Sequence, residues 1–197
     1  MCTLPPVLRL AQCFLGLFAP MTDHNRSPLI LTLPDEEATR ELGACVATGL
    51  AAEMTPGRSQ NASGLRIYLH GNLGAGKTTL VQGLLAALGY KGRVKSPTYT
   101  LVELYDISRL NLYHFDFYRF QDSSEWRDAG FSDILGGNGI CLVEWPEKAG
   151  DDLPAADLDI TLDLDGTGRR ATVVARSIAG AKCFDSLTRC TSQKRYS

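Results

Sequence analysis

The sequence predicts an α/β fold: a single domain with a mixed central sheet, parallel strands at its core, added antiparallel strands, and helices on both faces. Three stretches carry that expectation. Leu65-Arg66-Ile67-Tyr68-Leu69 is a short, largely apolar strand that runs through a glycine-rich turn into a helix with apolar residues at helical spacing. Ile140-Cys141-Leu142-Val143 is a continuous apolar run of the kind shown by a parallel strand buried on both faces. Residues 158–164 alternate apolar with polar or acidic side chains, and residues 171–175 follow across Gly166-Thr167-Gly168, so these read as two antiparallel strands with one wet face. A length of 197 residues suits one such domain and is short for two.

In chain order, Leu29-Ile30-Leu31-Thr32-Leu33 predicts a strand ended by Pro34. Asp35 is placed as an N-cap, with Glu36 and Glu37 in the first turn, where negative charge suits the helix dipole. Ala38, Leu42, Cys45, Val46 and Leu50 then give the buried stripe of a helix reaching about Glu53. Residues 55–64 are rich in Pro, Gly, Ser and Asn and predict a surface loop. The helix after the glycine turn carries Leu80, Val81, Leu84, Leu85 and Leu88, with Gly89 at its C-terminal cap. Ser96-Pro97-Thr98-Tyr99-Thr100 predicts an ordered turn entering a strand over 100–105, and a second strand over 111–119 forms a hairpin with it. Short helices are expected over 123–128 and 131–135, and Ser177 caps a last helix to about Leu187. Residues 1–28 read as an N-terminal extension, 29–188 as the domain and 189–197 as a polar tail. Within the extension, residues 1–20 are expected to be disordered, with Met21 a candidate start; an apolar run over 7–18 lacks the basic cluster and cleavage site of a signal peptide.

The glycine turn is the chemical centre of the chain. Gly71-Asn72-Leu73-Gly74-Ala75-Gly76-Lys77-Thr78 fits G-x-x-x-x-G-K-[ST] at every fixed position. Glycines permit positive φ and let backbone N–H groups approach phosphate oxygens, and the helix N-terminus adds its dipole. Lys77 would reach the β- and γ-phosphates as a point charge, and the Thr78 hydroxyl would ligate magnesium.

Hydrolysis needs acidic partners as well. Glu144 directly follows the apolar run 140–143, a hydrophobic-run-then-acid pattern suited to a magnesium site at a strand end. Asp116 follows Tyr113-His114-Phe115 and is placed to orient the attacking water or to hold magnesium through water. Thr98 and Thr100 lie where a switch segment would sense the γ-phosphate. His114 reads as a hydrogen-bonded strand residue and Arg119 as a candidate for transition-state charge. Trp145 packs over the strand end beside the nucleotide rather than reading a base. No Asn-Lys-x-Asp guanine-reading element occurs, which favours ATP. Arg127, Arg169 and Arg170 are scattered instead of forming a kinase-like lid, which favours an ATPase over a small-molecule kinase; a nucleotide-gated binding module with negligible turnover is a third reading.

A net charge of −2 gives no general affinity for nucleic acid or an anionic membrane, so any RNA role works through a local patch or a partner. Composition (44% apolar, 21% charged) is that of a soluble globular chain, and no stretch approaches a membrane span. Six cysteines form neither a C-x-x-C pair nor a metal-ligand spacing, which favours free thiols in a reducing cytosol over a disulfide framework. Asn61-Ala62-Ser63 matches a glycosylation sequon that has no meaning in that compartment.

Four segments together resemble the TsaE (YjeE) family of bacterial tRNA-modification ATPases: Leu73 through Thr79, Lys95 through Val102, Tyr113 through Arg119, and Cys141 through Pro146. The resemblance runs from about Leu29 to Leu187, and the Ser-Pro-Thr-Tyr-Thr and Val-Glu-Trp-Pro segments are its most specific parts. It implies a cytoplasmic P-loop NTPase-like subunit that uses ATP and Mg2+ and acts with the TsaB–TsaD dimer. That assembly forms threonylcarbamoyladenosine beside the anticodon of tRNAs reading codons that start with A. It also implies contact with tRNA only through the complex, and none with DNA or membrane. Carried over by motif, Gly74, Ala75, Gly76, Lys77, Thr78 and Thr79 hold phosphates, Thr78 and Glu144 hold magnesium, and Lys77, Asp116 and Glu144 are catalytic. Asp35-Glu36 matches the family's first helix, which places Glu36 near the adenine. Asn72 departs from the family pattern, where an acidic residue is common.

Overall fold

The computed structural model describes residues 26–53, 64–107 and 110–194. The extension before residue 26, most of the 55–64 loop and the hairpin centre at 108–109 lie outside the described residues. Seven strands form one sheet in the order β1-β7-β6-β2-β5-β4-β3. They are β1 (Leu29–Leu33), β2 (Leu65–His70), β3 (Val102–Ile107), β4 (Leu110–Asp116), β5 (Ile140–Glu144), β6 (Leu158–Asp165) and β7 (Gly168–Ala175). The central four, β6, β2, β5 and β4, run parallel. β1, β7 and β3 are added antiparallel, which is the mixed architecture the alternation and the apolar run predict.

Helices cover both faces unequally. The long helices α1 (Glu36–Glu53), α2 (Lys77–Ala87) and α5 (Ile178–Lys194) share one apolar core with the sheet, where Leu42, Val46, Leu84, Leu142 and Leu187 are closed to solvent. The other face is aromatic: Phe115, Phe117, Phe120, Phe131 and Trp126 form one buried cluster under α3 (Glu125–Asp128), α4 (Ser132–Leu135) and a 3-10 turn over Pro146–Ala149. The predicted N-caps are in place. Asp35 Oδ1 accepts from the Ala38 N–H at 2.8 Å and Ser177 Oγ accepts from the Gly180 N–H at 3.0 Å.

Four sequence expectations are corrected. The strand expected from Thr100 begins at Val102, because residues 98–100 form a turn closed by Leu101 N–H to Pro97 O at 2.6 Å, with Leu101 at φ 65°. Its partner stops at Asp116 instead of Arg119, since Phe117 N–H turns to Glu144 O at 3.1 Å and Tyr118 N–H to Asp116 Oδ1 at 2.9 Å. The residues expected as a polar tail continue α5 to Lys194, where the hydroxyls of Thr188, Thr191 and Ser192 bond back to carbonyls one turn earlier. That last turn is also held covalently. Cys190 is disulfide-bonded to Cys45 on α1, against the expectation of free thiols, while Cys141 is free and buried and Cys183 is buried.

Candidate functional site

The site forms where three parallel strands end side by side. Strand register sets Leu69 of β2 beside Glu144 of β5, and Glu144 beside Asp116 of β4. From His70 the chain leaves β2 through the glycine loop and enters α2, whose N-cap Gly76 has φ 105°. Gly71 needs its lack of a side chain, since a Cβ there would stand 2.3 Å from Leu162 O. A cavity of about 320 Å³ opens above these strand ends. Its walls include the loop from Leu73 to Thr79, Ser96 and Thr98, Asp116 and Tyr118, and Glu144 with Trp145.

Within it the predicted residues meet. Thr78 Oγ donates to Glu144 Oε1 at 2.9 Å, although the two are 66 residues apart in sequence. The same oxygen accepts from Nε2 of His114 at 2.9 Å; His114 is fully buried and its Nδ1 has no partner. Asp116 takes the hydroxyls of Thr98, at 2.6 Å, and of Ser96 on Oδ2, while its Oδ1 takes the Tyr118 amide. Lys77, also buried, donates to Gly71 O at 2.5 Å and Asn72 O at 3.2 Å, and its ammonium lies 3.9 Å from the centre of the Trp145 ring. Burial lowers the Lys77 pKa, against the pull of Glu144, Glu147 and Asp116. Trp145 reaches that position because its own backbone is left-handed, φ 59°, directly after the strand end.

The chemistry of this donor set is clear. Backbone amides at a helix N-terminus and a buried ammonium suit a chain of phosphates. An oxygen pair, a threonine hydroxyl and a carboxylate, suits a small hard divalent cation. Asp116 stands at the next strand end as an acceptor for a water or hydroxyl proton.

Not every expected residue joins the cavity. Glu36 is exposed and paired with Arg40 on its own helix. Thr100 donates to Glu103 at 3.1 Å, outside the cavity wall, and Arg119 stacks on the exposed ring of Tyr99 at 4.2 Å. Three contributors escaped the sequence reading of the site. Ser96 was legible only as the residue before a proline, and His114 only as a hydrogen-bonded strand residue, without Glu144 as its partner. Arg169 gave no local signal: its guanidinium reaches the carbonyls of Gly74 and Ala75 from 94 residues beyond Ala75.

Beside the cavity, His70 forms an ionic cluster. Its Nε2 lies 3.0 Å from Asp159 and its Nδ1 3.7 Å from Glu147, and Arg176 completes the group on Asp159 at 2.6 Å. Hydrogen bonds to Asp159 and then Glu147 push the His70 pKa up to about 9. Glu147 lies in the 3-10 turn that follows Trp145, so this cluster pins the turn to the end of β2.

A sheet whose central strand empties into such a loop, with a carboxylate on the adjacent strand bonded to the loop's threonine, is how P-loop NTPase-like proteins are built, and the chain is one of them. Comparison with known proteins narrows the class. The family model described as "Threonylcarbamoyl adenosine biosynthesis protein TsaE" matches residues 33–172, and the chain belongs to the TsaE family. It is similar to the tRNA threonylcarbamoyladenosine biosynthesis protein TsaE of Haemophilus influenzae, 45% identical over 63% of this chain and 78% of that one. The protein of the same name from Bacillus subtilis is 42% identical over 53% and 65% of the two chains. The crystal structure of Bacillus subtilis YdiB superposes with a TM-score of 0.65 at 27% identity, covering 83% of this chain and 95% of the other.

Proposed function

We propose that this protein is the magnesium-dependent ATPase subunit of a cytoplasmic assembly that forms threonylcarbamoyladenosine in tRNAs reading codons that start with A, acting with TsaB and TsaD. The observation that carries the reading is the 2.9 Å bond between Thr78 and Glu144 at the mouth of the glycine loop. Family membership supports the pathway, and the missing guanine-reading element supports ATP over GTP.

In this reading the loop amides of Gly74 through Thr79 bind the phosphate chain, and Lys77 leaves the carbonyls of Gly71 and Asn72 for the β- and γ-phosphates. Thr78 and Glu144 would hold a magnesium ion, which would supply positive charge to offset that of the phosphate oxygens. Asp116 orients the attacking water and takes its proton at Oδ2. That oxygen is engaged by Ser96 and Thr98, so both hydroxyls must turn away before it can act. This engagement favours slow turnover by the isolated chain, and it keeps the nucleotide-gated binding module as the second reading. Trp145 covers Lys77. Contact with tRNA is through the complex.

The test is capture of TsaB and TsaD by the tagged protein with ATP and magnesium, with ADP, and without nucleotide, alongside phosphate release with and without the partners. Capture that depends on ATP and magnesium, with faster release on adding partners, is the expected result. Capture indifferent to nucleotide, or a rate that partners never raise, refutes the subunit role. Repeated rounds of modification supported equally by Lys77→Ala would leave the binding module instead.

A further inference from the structure

A loop that turns its amides toward a bound phosphate must turn its carbonyls the other way, and those carbonyls need donors of their own. For Gly74 and Ala75 one side chain supplies them. Arg169 stands in β7, in register with Leu33 of β1 and Leu164 of β6, and its guanidinium lies against the outside of the glycine loop. Its Nε donates to Ala75 O at 3.2 Å and its Nη2 to Gly74 O at 3.4 Å. The remaining edge anchors the fork to its own hairpin, Nη1 donating to Thr167 O at 3.2 Å and Gly168 O at 3.4 Å. Ala75 is only 1% exposed, so water is a poor substitute for the donor on its carbonyl. The wall behind Gly76 is closed by the same residue: a Cβ there would stand 3.4 Å from the Thr39 methyl and 3.5 Å from Arg169 Nε.

Arg169 is not part of the cavity wall, and with its nitrogens spread over four carbonyls it is turned away from the phosphates. We infer that Arg169 is a positioning residue that holds the phosphate loop in its anion-binding shape from behind, and so sets nucleotide affinity without touching nucleotide. This rests on the reading that the cavity binds nucleotide. The planar fork is essential to the role, because it spans two successive carbonyls as a point ammonium cannot. The β6–β7 hairpin thereby becomes a support of the nucleotide site.

The experiment titrates a fluorescent ADP against the full chain as wild type, Arg169→Ala, Arg169→Lys and Arg169→Gln, with Arg170→Ala as the control for local charge, since Arg170 pairs with Asp165 at 3.0 Å. Melting temperature and ATP turnover are measured on the same samples. Arg169→Ala is expected to weaken ADP binding about tenfold or more, as for loss of a charge-assisted pair of hydrogen bonds. The rate at saturating ATP should change far less, a KM effect with little kcat effect. Lys restores only part of the affinity, Gln recovers part through its single amide, and Arg170→Ala binds like wild type. Wild-type affinity in Arg169→Ala overturns the inference. So does full recovery by Lys, which would make charge alone the cause, or a loss in Arg170→Ala equal to that in Arg169→Ala. Should the Ala variant fail to fold, the Lys and Gln variants decide the same question. A wild-type chain that binds no ADP at all would instead bring down the nucleotide reading, and this inference with it.

Discussion

Removing the Glu144 carboxylate separates its chemistry from its contribution to the fold. In Glu144→Ala the hydroxyl of Thr78 and the imidazole of His114 both lose their acceptor, each at 2.9 Å. Hydrogen bonds to a charged acceptor contribute about 1.5–3 kcal/mol each, and His114 has no route to water. Against that loss, a carboxylate only 3% exposed no longer has to be buried, which offsets part of it. The net cost is about 1–3 kcal/mol, a melting temperature lower by several degrees in a domain of this size. The chemical loss is larger. Deleting one preorganised electrostatic partner of a reacting group costs about 10²–10³-fold in rate, so phosphate release at saturating ATP and magnesium should fall by about that factor. ADP affinity without magnesium should stay within about threefold of wild type, a difference under about 1 kcal/mol. Glu144→Gln keeps a carbonyl acceptor for both donors, so it should melt near wild type and still lose turnover. Phosphate release measured across a magnesium series, beside ADP titrations with and without the metal, reads every quantity. Retained turnover with an unchanged magnesium response would refute the reasoning, as would lost ADP binding with no change in metal dependence.

Three further outcomes are expected. His114→Phe removes one of the two donors that orient Glu144, so the magnesium concentration for half-maximal turnover should rise about tenfold to a hundredfold, and an unmoved magnesium curve would contradict it. His70 has a folded pKa near 9 against an ordinary 6.5, so its cluster stabilises the fold fully below pH 6.5 and the contribution is lost as pH rises through 9. Its side chain is 33% exposed and solvent screens it, leaving about 1 kcal/mol; His70→Gln should flatten the fall in melting temperature between pH 6.5 and 9, and parallel curves would rule the cluster out. Reducing the Cys45–Cys190 bond should lower stability by about 2–4 kcal/mol, a shift absent from Cys190→Ser, and equal melting of reduced and oxidised protein would show the tether to be energetically idle.

Much of this was legible in the sequence because the loop, its strand and its helix are contiguous, and each residue type there has one physical job. The pairing of Thr78 with Glu144 was legible too, since an acid after an apolar run marks a strand end wherever that strand falls in the sheet. What stayed hidden depended on contacts distant in sequence. Arg169 is one of several arginines until β7 lies between β1 and β6. Glu36 has the right place in its motif yet bonds to Arg40, because a partner one helical turn away is nearer than the cavity. The length of α5 could not be read from a stretch of Thr, Ser and Cys with low helix preference, since its last turn depends on back-bonded hydroxyls and on Cys45 across the interface.

The placement of Trp145 over Lys77 also gives the protein an optical gauge of its own occupancy. Of its two tryptophans, Trp126 is buried in the aromatic core, while Trp145 has the Lys77 ammonium against its face. In the proposed nucleotide complex, drawing that ammonium onto phosphate would change the indole's surroundings, so filling of the pocket would be read in unlabelled protein by stopped-flow fluorescence and set beside the rate of phosphate release.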